Sequence, residues 1–204
     1  IKWIKKFNLP YYGDSFTKEQ ILIDLKKNSK DIDFKYLGKK WPIKAAEAIV
    51  DNNVIAVFNN SMEYGPRALG NRSIMANAFN PQMRDILNLK VKKRPKYQPF
   101  CPSILKEDRE KLFLSSFNHK FMAIAFRLKK KFWKLIPSMT HIDGTSRPQF
   151  VDKRDNKDFY KLLKNIKRNK KFGVVLNTSF NLHGFPIVEN SEQAIQVLLN
   201  SKID

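Results

Sequence analysis

The sequence predicts an α/β protein in which a twisted mixed sheet is flanked by helices. Short apolar runs rich in β-branched residues alternate along the chain with amphipathic segments of helical spacing. Hydrophobic residues make up 42% of the 204 residues, including 16 Phe and 3 Trp, which is enough for a substantial core. No internal repeat or low-complexity linker interrupts this alternation. The segments are therefore expected to pack as layers about one mostly buried sheet.

Capping residues and apolar stripes predict the helices. Thr17 and Gln20 have the spacing of a capping box, and Ser191 is a good N-cap for the last helix. Pro95 ends the third helix, because a residue before proline is disfavoured in the helical region. The predicted helices cover residues 17–28, 43–52, 80–94, 108–114, 155–170 and 191–199.

The strands are predicted from short apolar runs between polar turn formers. The clearest run, 54–58, is rich in β-branched residues, and 172–176 is predicted to be fully buried. Further extended segments are predicted at 100–105 and 121–128, in the second part of 140–152, and as a short strand at 32–37.

The chain is strongly basic, with a net charge of +20 from 30 Lys and 9 Arg set against 19 acidic residues. Nucleic acid, an acidic membrane surface and polyphosphate substrates are the partners that such a charge favours. The lysines are spread along the whole length, so a solvated surface without a partner explains the charge equally well. One cysteine, Cys101, excludes an internal disulfide and fits a reducing compartment, and no apolar run is long enough to span a membrane. We therefore predict a cytoplasmic protein.

Residues 61–73 form the most informative stretch of the chain. Within it, Gly65 and Gly70 can adopt backbone angles closed to other residues, and Arg67 and Arg72 stand five residues apart. A loop that exposes backbone N–H groups beside guanidinium groups is suited to binding an anion. The alternative is a tight turn whose arginines are solvated or paired with carboxylates. The density of special residues favours the anion site.

Three polar clusters, at residues 67–73, 92–103 and 177–181, follow predicted strands or flank helices. Ligands of open α/β sheets collect just beyond strand ends, so these clusters are expected to meet. The cations at 92–94 have an alternative role, because positive charge at a helix end interacts favourably with the helix dipole. The three histidines are far apart in sequence, and Cys101 has no histidine or second cysteine nearby, so no metal site is predicted.

Residues 62–74 read Met-Glu-Tyr-Gly-Pro-Arg-Ala-Leu-Gly-Asn-Arg-Ser-Ile, which resembles the signature of the carboxy-terminal domain of O-carbamoyltransferases. This group includes nodulation and antibiotic-tailoring enzymes. Further matching motifs follow in the family's order at residues 92–94 with 99–100, 140–145, 176–181, and 184 with 186–188. The resemblance covers about residues 40–200, and its first motif is highly specific.

The resemblance implies the YrdC fold of threonylcarbamoyl-adenylate synthases. It also implies that the domain forms carbamoyl-adenylate from carbamoyl phosphate and ATP with Mg²⁺. In the family, a larger amino-terminal actin-like domain with a bound iron then transfers the carbamoyl group to an acceptor hydroxyl. The chain is accordingly expected to be a fragment, with residues 1–40 leading from that other domain and residues 41–204 forming a carboxy-terminal domain truncated at its end.

The resemblance also assigns the site residues. Arg67 and Lys92 are expected to hold phosphates as catalytic groups, and Asn177 and Ser179 to orient carbamoyl or α-phosphate oxygens. Arg72 is expected to be either a further phosphate contact or a structural ion pair. The remaining predicted contacts to substrate or nucleotide are Lys93, Gln98, Ser103 and Asn181.

The chain departs from the family pattern at three places. Gln98 stands where the family usually has Arg, so Lys93 or Lys96 would have to supply the missing cation. Phe185 stands where Glu is frequent, and Asn59-Asn60 replaces Gln-Gly, although asparagine tolerates left-handed backbone angles.

A second interpretation is a basic domain of the same fold that binds RNA without catalysis. The net charge permits it. The chain lacks the alternation of aromatic and basic residues that forms a stacking platform for bases, which argues against it.

Overall fold

The computed structural model describes residues 10–204 as helices packed on a mixed β-sheet. The helices are α1 (Lys18–Lys27), α2 (Trp41–Val50), α3 (Met83–Ile86), α4 (Arg109–Leu112), α5 (Lys157–Asn169) and α6 (Ser191–Leu199). The strands are β1 (Ile55–Phe58), β2 (Arg72–Asn77), β3 (Cys101–Leu105), β4 (Phe126–Arg127), β5 (Thr145–Ser146), β6 (Gln149–Val151) and β7 (Val174–Ser179). The predicted α/β class, a mixed sheet flanked by helices, is confirmed.

The main sheet has the strand order β1-β2-β7-β3-β6. Strands β1, β2, β7 and β3 pair antiparallel in turn, and β6 joins β3 in parallel. Strands β4 and β5 form a separate antiparallel pair. Because β7 lies in the centre and runs opposite to both neighbours, its carboxyl end is flanked by the first residues of β2 and β3.

Alternating side chains of the central strands divide the core into two layers. Met75 and Val175 point to the face covered by α2 and α5, whereas Ile74 and Leu176 point to the opposite face. Helix α5 contributes the predicted apolar stripe, whose four members are at most 1% exposed: Phe159, Leu162, Leu163 and Ile166. Burial of each such side chain contributes about 1.5–3 kcal/mol, so α5 anchors this face of the sheet.

Several predicted boundaries are wrong. Strand β2 was not predicted, because it lacks the alternation of a half-exposed strand and its buried residues Arg72, Ser73 and Asn77 also interrupt the apolar run typical of a fully buried one. Residues 32–37 form no strand, and their aromatic side chains are exposed. Only β4 forms within the predicted strand 121–128, and Met122 near the start of that segment has a left-handed φ of 54°, which a strand does not accommodate. The N-cap of α6 is Asn190, whose side chain accepts the backbone N–H of Gln193, rather than Ser191.

The third predicted helix begins as α3 and continues through a π-helical turn, Leu87–Val91. The backbone N–H of Lys92 then donates to the carbonyl of Leu87 at 2.8 Å. This wider turn rotates the residues after it relative to a regular helix, and such turns occur frequently at functional sites.

The predicted approach segment, residues 1–40, lies partly outside the described residues. From residue 10 onward it contacts the rest of the fold. Tyr11 donates its hydroxyl to the carbonyl of Leu69 at 3.0 Å, and Ser191 donates to the Asp24 carboxylate at 2.5 Å. The capping box of Thr17 and Gln20 is present at the start of α1.

Candidate functional site

A cleft of about 110 Å³ lies at the carboxyl end of β7, where the starts of β2 and β3 meet it. The loop that carries Arg67 closes one side, and Cys101 lies at the start of β3. Asn177 on β7 is in register with Met75 on β2 and Cys101 on β3. The structure therefore brings residues of all three polar clusters together: Arg67, Arg94, Arg147, Cys101, Asn177 and Ser179 line this cleft.

A buried carboxylate organises the loop that presents Arg67. Glu63 is 3% exposed, and its Oε1 accepts the backbone N–H groups of Leu69, Asn71 and Arg72 at 2.7, 2.7 and 3.2 Å. Three N–H groups that converge on one carboxylate oxygen fix the backbone of the loop. The loop consequently holds Arg67 exposed at the rim of the cleft, with no hydrogen-bond or ion-pair partner among residues 10–204.

Gly70 is required for this loop to fold. Its φ is 118°, a value that side-chain-bearing residues rarely adopt, and a Cβ atom there would lie 2.4 Å from Cδ1 of Phe159. Asn60 at the start of the loop has a φ of 45°. The substitution of asparagine for the usual glycine at that position is thus compatible with the turn.

Arg72 lies outside the cleft and is completely buried. Its guanidinium donates to the backbone carbonyls of Asn59, Asn60, Asn71 and Asp14 at 2.9–3.2 Å, and it stacks over the ring of Phe58 at 3.8 Å. The partners are carbonyl oxygens rather than phosphate or carboxylate. This geometry favours a structural role in joining β1 to the loop over direct contact with a ligand.

Two arginines that the sequence analysis did not assign as substrate contacts also line the cleft, although Arg94 belongs to the predicted polar cluster 92–103. Arg94 is held by a hydrogen bond from its Nε to Asn88 Oδ1 at 2.6 Å and by stacking over Phe100 at 4.4 Å. Arg147, between β5 and β6, has no hydrogen-bond or ion-pair partner within residues 10–204. Arg147 follows the predicted 140–145 motif by two residues, so an extension of that motif would have found it.

A chain of buried polar side chains fixes Asn177. Its Nδ2 donates to the carbonyl of Ala68 at 3.2 Å and to Ser103 Oγ at 2.9 Å. Ser103 in turn donates to Gln149 Oε1 at 2.7 Å, and Gln149 Nε2 donates to the carbonyl of Leu69 at 2.8 Å. Ser103 therefore does not line the cleft itself but holds the side chain of Asn177, which does.

Lys92 is 4% exposed and lies behind Ser179 rather than on the cleft surface. Its Nζ donates to the backbone carbonyl of Ser179 at 2.8 Å and to Oδ1 and the backbone carbonyl of Asn181 at 2.5 and 3.1 Å. Burial, together with the nearby Arg94 guanidinium, lowers the pKa of Lys92 to about 7. In this structure, Lys92 fixes the turn that follows β7.

The remaining predicted residues do not line the cleft. Lys93 is exposed with a left-handed φ of 46°, and Gln98 accepts a hydrogen bond from Asn88 through its backbone carbonyl. Lys96 Nζ lies 3.9 Å from Asp85 Oδ2 on the surface. Asn181 contacts Lys92 behind the turn. The guanidinium groups at the cleft thus come from Arg67, Arg94 and Arg147. None of them stands at position 98, where Gln98 replaces the arginine of the family pattern.

Neither a metal centre nor a membrane helix is found in the part of the chain that the structure describes. No group of three His, Cys, Asp or Glu residues within 10–204 could hold a metal ion. None of the helices in this range is both long and apolar enough to cross a membrane.

Comparisons with known proteins place the chain among relatives of known sequence. A relative from Methanocaldococcus jannaschii, the uncharacterized protein MJ1058, is 52% identical over 206 residues, which cover 100% of this chain and 34% of the relative. The 3'-hydroxymethylcephem-O-carbamoyltransferase of Streptomyces clavuligerus is 36% identical over 139 residues, covering 68% of this chain and 26% of that enzyme. The chain therefore spans about a third or less of the length of these relatives.

Among solved structures, Sua5 from P. abyssi, complexed with L-threonine, superposes with a TM-score of 0.59 at 13% identity. The match covers 83% of this chain and 47% of that protein, and it confirms the predicted YrdC-like fold. A family profile described as "Carbamoyltransferase C-terminus" matches residues 46–204, which is most of the chain. The chain belongs to the carbamoyltransferase C-terminus family.

Proposed function

We propose that this domain forms carbamoyl-adenylate from carbamoyl phosphate and ATP, for later transfer to an acceptor hydroxyl. The observation that carries the proposal is that Arg67, Arg94 and Arg147 line one cleft together with the buried Asn177, close to the carboxyl end of β7. Family membership narrows the chemistry to carbamoyl transfer, and the cleft supplies the charge that two reacting anions require.

Positive charge is the first requirement of this reaction, because carbamate must approach a polyphosphate. Arg67 and Arg147 have no partners among the described residues, so both guanidinium groups are available to phosphate oxygens. Arg94 is pre-oriented by Asn88 and Phe100. Fixed donors that face developing charge cost no reorganisation when the reaction occurs, which is the largest contribution in many enzymes.

The proposed reaction has two steps. Water first cleaves carbamoyl phosphate to carbamate and inorganic phosphate. A carbamate oxygen then attacks the α-phosphorus of ATP, the bond to the β-phosphate oxygen breaks, and pyrophosphate leaves. Holding both anions in line accelerates such a displacement by avoiding the loss of entropy at the moment of reaction.

Ser179 and Lys92 are proposed to act together at this site. Ser179 lines the cleft, and Lys92 holds its backbone carbonyl from behind. We assign Lys92 to positioning the turn 179–181, whose carbonyls accept its hydrogen bonds, rather than to direct contact with the phosphates.

Magnesium enters as the MgATP substrate. The cleft lining contains no carboxylate among the described residues, so the phosphates of ATP would provide the charged ligands of the ion. The cleft volume of about 110 Å³ is smaller than the roughly 300–1,000 Å³ of complete ligand sites. We propose that it receives the carbamate and the α-phosphate while the adenosine extends outside.

Transfer to the acceptor is assigned to a separate amino-terminal actin-like domain with its iron. That domain would also determine which acceptor hydroxyl is carbamoylated. With carbamoyl phosphate and MgATP alone, this chain is expected to release pyrophosphate without carbamoylating an alcohol.

The test is carbamoyl phosphate-dependent release of pyrophosphate from MgATP by the 204-residue chain. Arg147→Lys keeps the charge but loses the planar fork, and it should lower the rate at least tenfold. Arg154→Lys is the matched control, because Arg154 pairs with Asp152 on the surface at 3.0 Å. The proposal would be overturned if folded wild type released no pyrophosphate and also failed to bind MgATP in calorimetry. Equal rates of pyrophosphate release by the Arg147→Lys and Arg154→Lys variants would overturn it as well.

A further inference from the structure

The side-chain carbonyl oxygen of Asn177 is buried but accepts no hydrogen bond within the described fold. The residue is 2% exposed and lines the cleft, yet its Oδ1 has no hydrogen-bond donor among residues 10–204. Buried polar atoms are nearly always paired, so an unpaired acceptor in a cleft wall indicates a ligand that supplies a donor.

The hydrogen-bond network determines which atom of this amide is left without a partner. The carbonyl of Leu69 can only accept, so Gln149 must turn its Nε2 toward it and its Oε1 toward Ser103. Ser103 then donates its single hydrogen to Gln149 and can only accept from Asn177. The carbonyl of Ala68 also only accepts. Both hydrogens of Asn177 Nδ2 are therefore committed, and its oxygen remains free.

Asn177 was expected from the sequence to orient oxygen atoms of the substrate, which requires it to donate. The network excludes that role without rearrangement, because no hydrogen of the amide is left. A ligand group at this position must instead present an N–H or O–H. Arg67, Arg94 and Arg147 line the same cleft, which indicates that the same ligand is anionic.

We infer that Asn177 is a specificity-determining residue that selects the carbamoyl group by accepting a hydrogen bond from its NH₂. The inference rests on the proposed function and deepens it. Carbamoyl phosphate combines an amide N–H donor with phosphate and is small enough for a cleft of about 110 Å³. Acetyl phosphate has nearly the same shape and charge but places a methyl group where carbamoyl phosphate has its NH₂.

The amino group of adenine is the competing donor. It is disfavoured because three guanidinium groups line the same cleft as Asn177, and they would bind phosphate rather than a base. An adenine there would also leave these three cations without an anion.

The test compares calorimetric binding of carbamoyl phosphate, acetyl phosphate and inorganic phosphate. Wild type should bind carbamoyl phosphate at least about tenfold more tightly than acetyl phosphate, because the analogue leaves Asn177 Oδ1 unpaired. Asn177→Leu, which has a similar shape, should abolish this ratio. Inorganic phosphate tests the arginines alone and should bind wild type and the variant equally.

Ser103→Ala provides a second variant in case Asn177→Leu does not fold. It removes one anchor of the Asn177 amide, lets the amide rotate, and should reduce the ratio at least threefold. A ratio that either folded variant leaves unchanged would overturn the inference, because another residue would then select the carbamoyl group.

The outcomes also separate this inference from the proposed function. Equal binding of the two acyl phosphates to wild type, with pyrophosphate release intact, would overturn the inference alone. If wild type binds neither acyl phosphate, both the inference and the proposed function are overturned. Weaker MgATP binding by Asn177→Leu with an unchanged ratio would overturn the inference and assign the oxygen to the adenine amino group.

Discussion

Glu63 is expected to determine whether the arginine loop forms, and Glu63→Gln tests this with the smallest available change. The carboxylate oxygen Oε1 accepts three backbone N–H groups, two of them at 2.7 Å. The second oxygen, Oε2, is buried and has no hydrogen-bond partner in the part of the chain that the structure describes. Glutamine has the same shape but no charge, and it must place its NH₂ group at one of these two positions.

These contacts determine how much stability the Glu63→Gln substitution should remove. With the amide oxygen at the Oε1 position, each short bond changes from a charge-assisted bond of about 1.5–3 kcal/mol to a neutral one of about 0.5–1.5 kcal/mol. The amide nitrogen at the Oε2 position finds no acceptor, which costs a further ~1–3 kcal/mol. The buried guanidinium of Arg72 also loses a nearby negative charge. The two short bonds together lose about 2–3 kcal/mol and the unpaired nitrogen about 1–3 kcal/mol, so we expect the free energy of unfolding to fall by about 3–6 kcal/mol.

Urea unfolding followed by circular dichroism measures this difference. Glu47→Gln is the control, because Glu47 pairs with Lys44 on the surface at 2.7 Å and such pairs are worth at most about 1 kcal/mol. MgATP affinity of the folded Glu63→Gln protein should fall as well, since the loop that carries Arg67 is loosened. A loss of stability below 1 kcal/mol, equal to that of the control, would refute the assignment of Glu63 as organiser of the loop.

Three further predictions concern the glycines, the buried lysine and the charge. Gly70→Ala should destabilise the protein by about 2–5 kcal/mol in urea unfolding, because it adds backbone strain and a clash with Phe159. Gly65→Ala is the control, since Gly65 has a φ of 107° but no atom within 4 Å of the new Cβ, so this variant should show the strain alone. Equal losses of stability in the two variants would contradict the clash. Since the pKa of Lys92 falls from about 10.4 when unfolded to about 7 when folded, the unfolded chain binds more protons between these values. The stability of wild type relative to Lys92→Met should therefore rise with pH across this window, and a pH-independent difference would be incompatible with the lowered pKa. If the charge of +20 is mainly a solvated surface, binding to generic duplex RNA should be weak and collapse between about 50 and 200 mM salt, whereas tight, structure-selective binding at the higher salt would favour the RNA-binding alternative.

Much of the architecture could be predicted because local signals are strong where side chains alternate or cap. The capping box at Thr17, the stripe along α5 and the buried run of β7 each have a pattern that only one kind of element satisfies. Strand β2 escaped prediction because three of its six buried residues are polar, namely Arg72, Ser73 and Asn77, so it does not read as a continuous apolar run. The left-handed residue Met122, which shortens the predicted strand at 121–128, has no signature in a single sequence.

The sequence by itself determined the family, the class of fold and the position of the arginine loop. These follow from residue types at fixed spacing, such as the glycines and arginines of residues 61–73. Only the tertiary structure decided the direction of each polar group. Burial committed Arg72 to backbone carbonyls, brought Arg147 to the cleft from a distant part of the chain, and left the oxygen of Asn177 unpaired. The physical reason is that a hydrogen bond depends on which donors and acceptors the fold brings within about 3 Å, and residues far apart in sequence decide that.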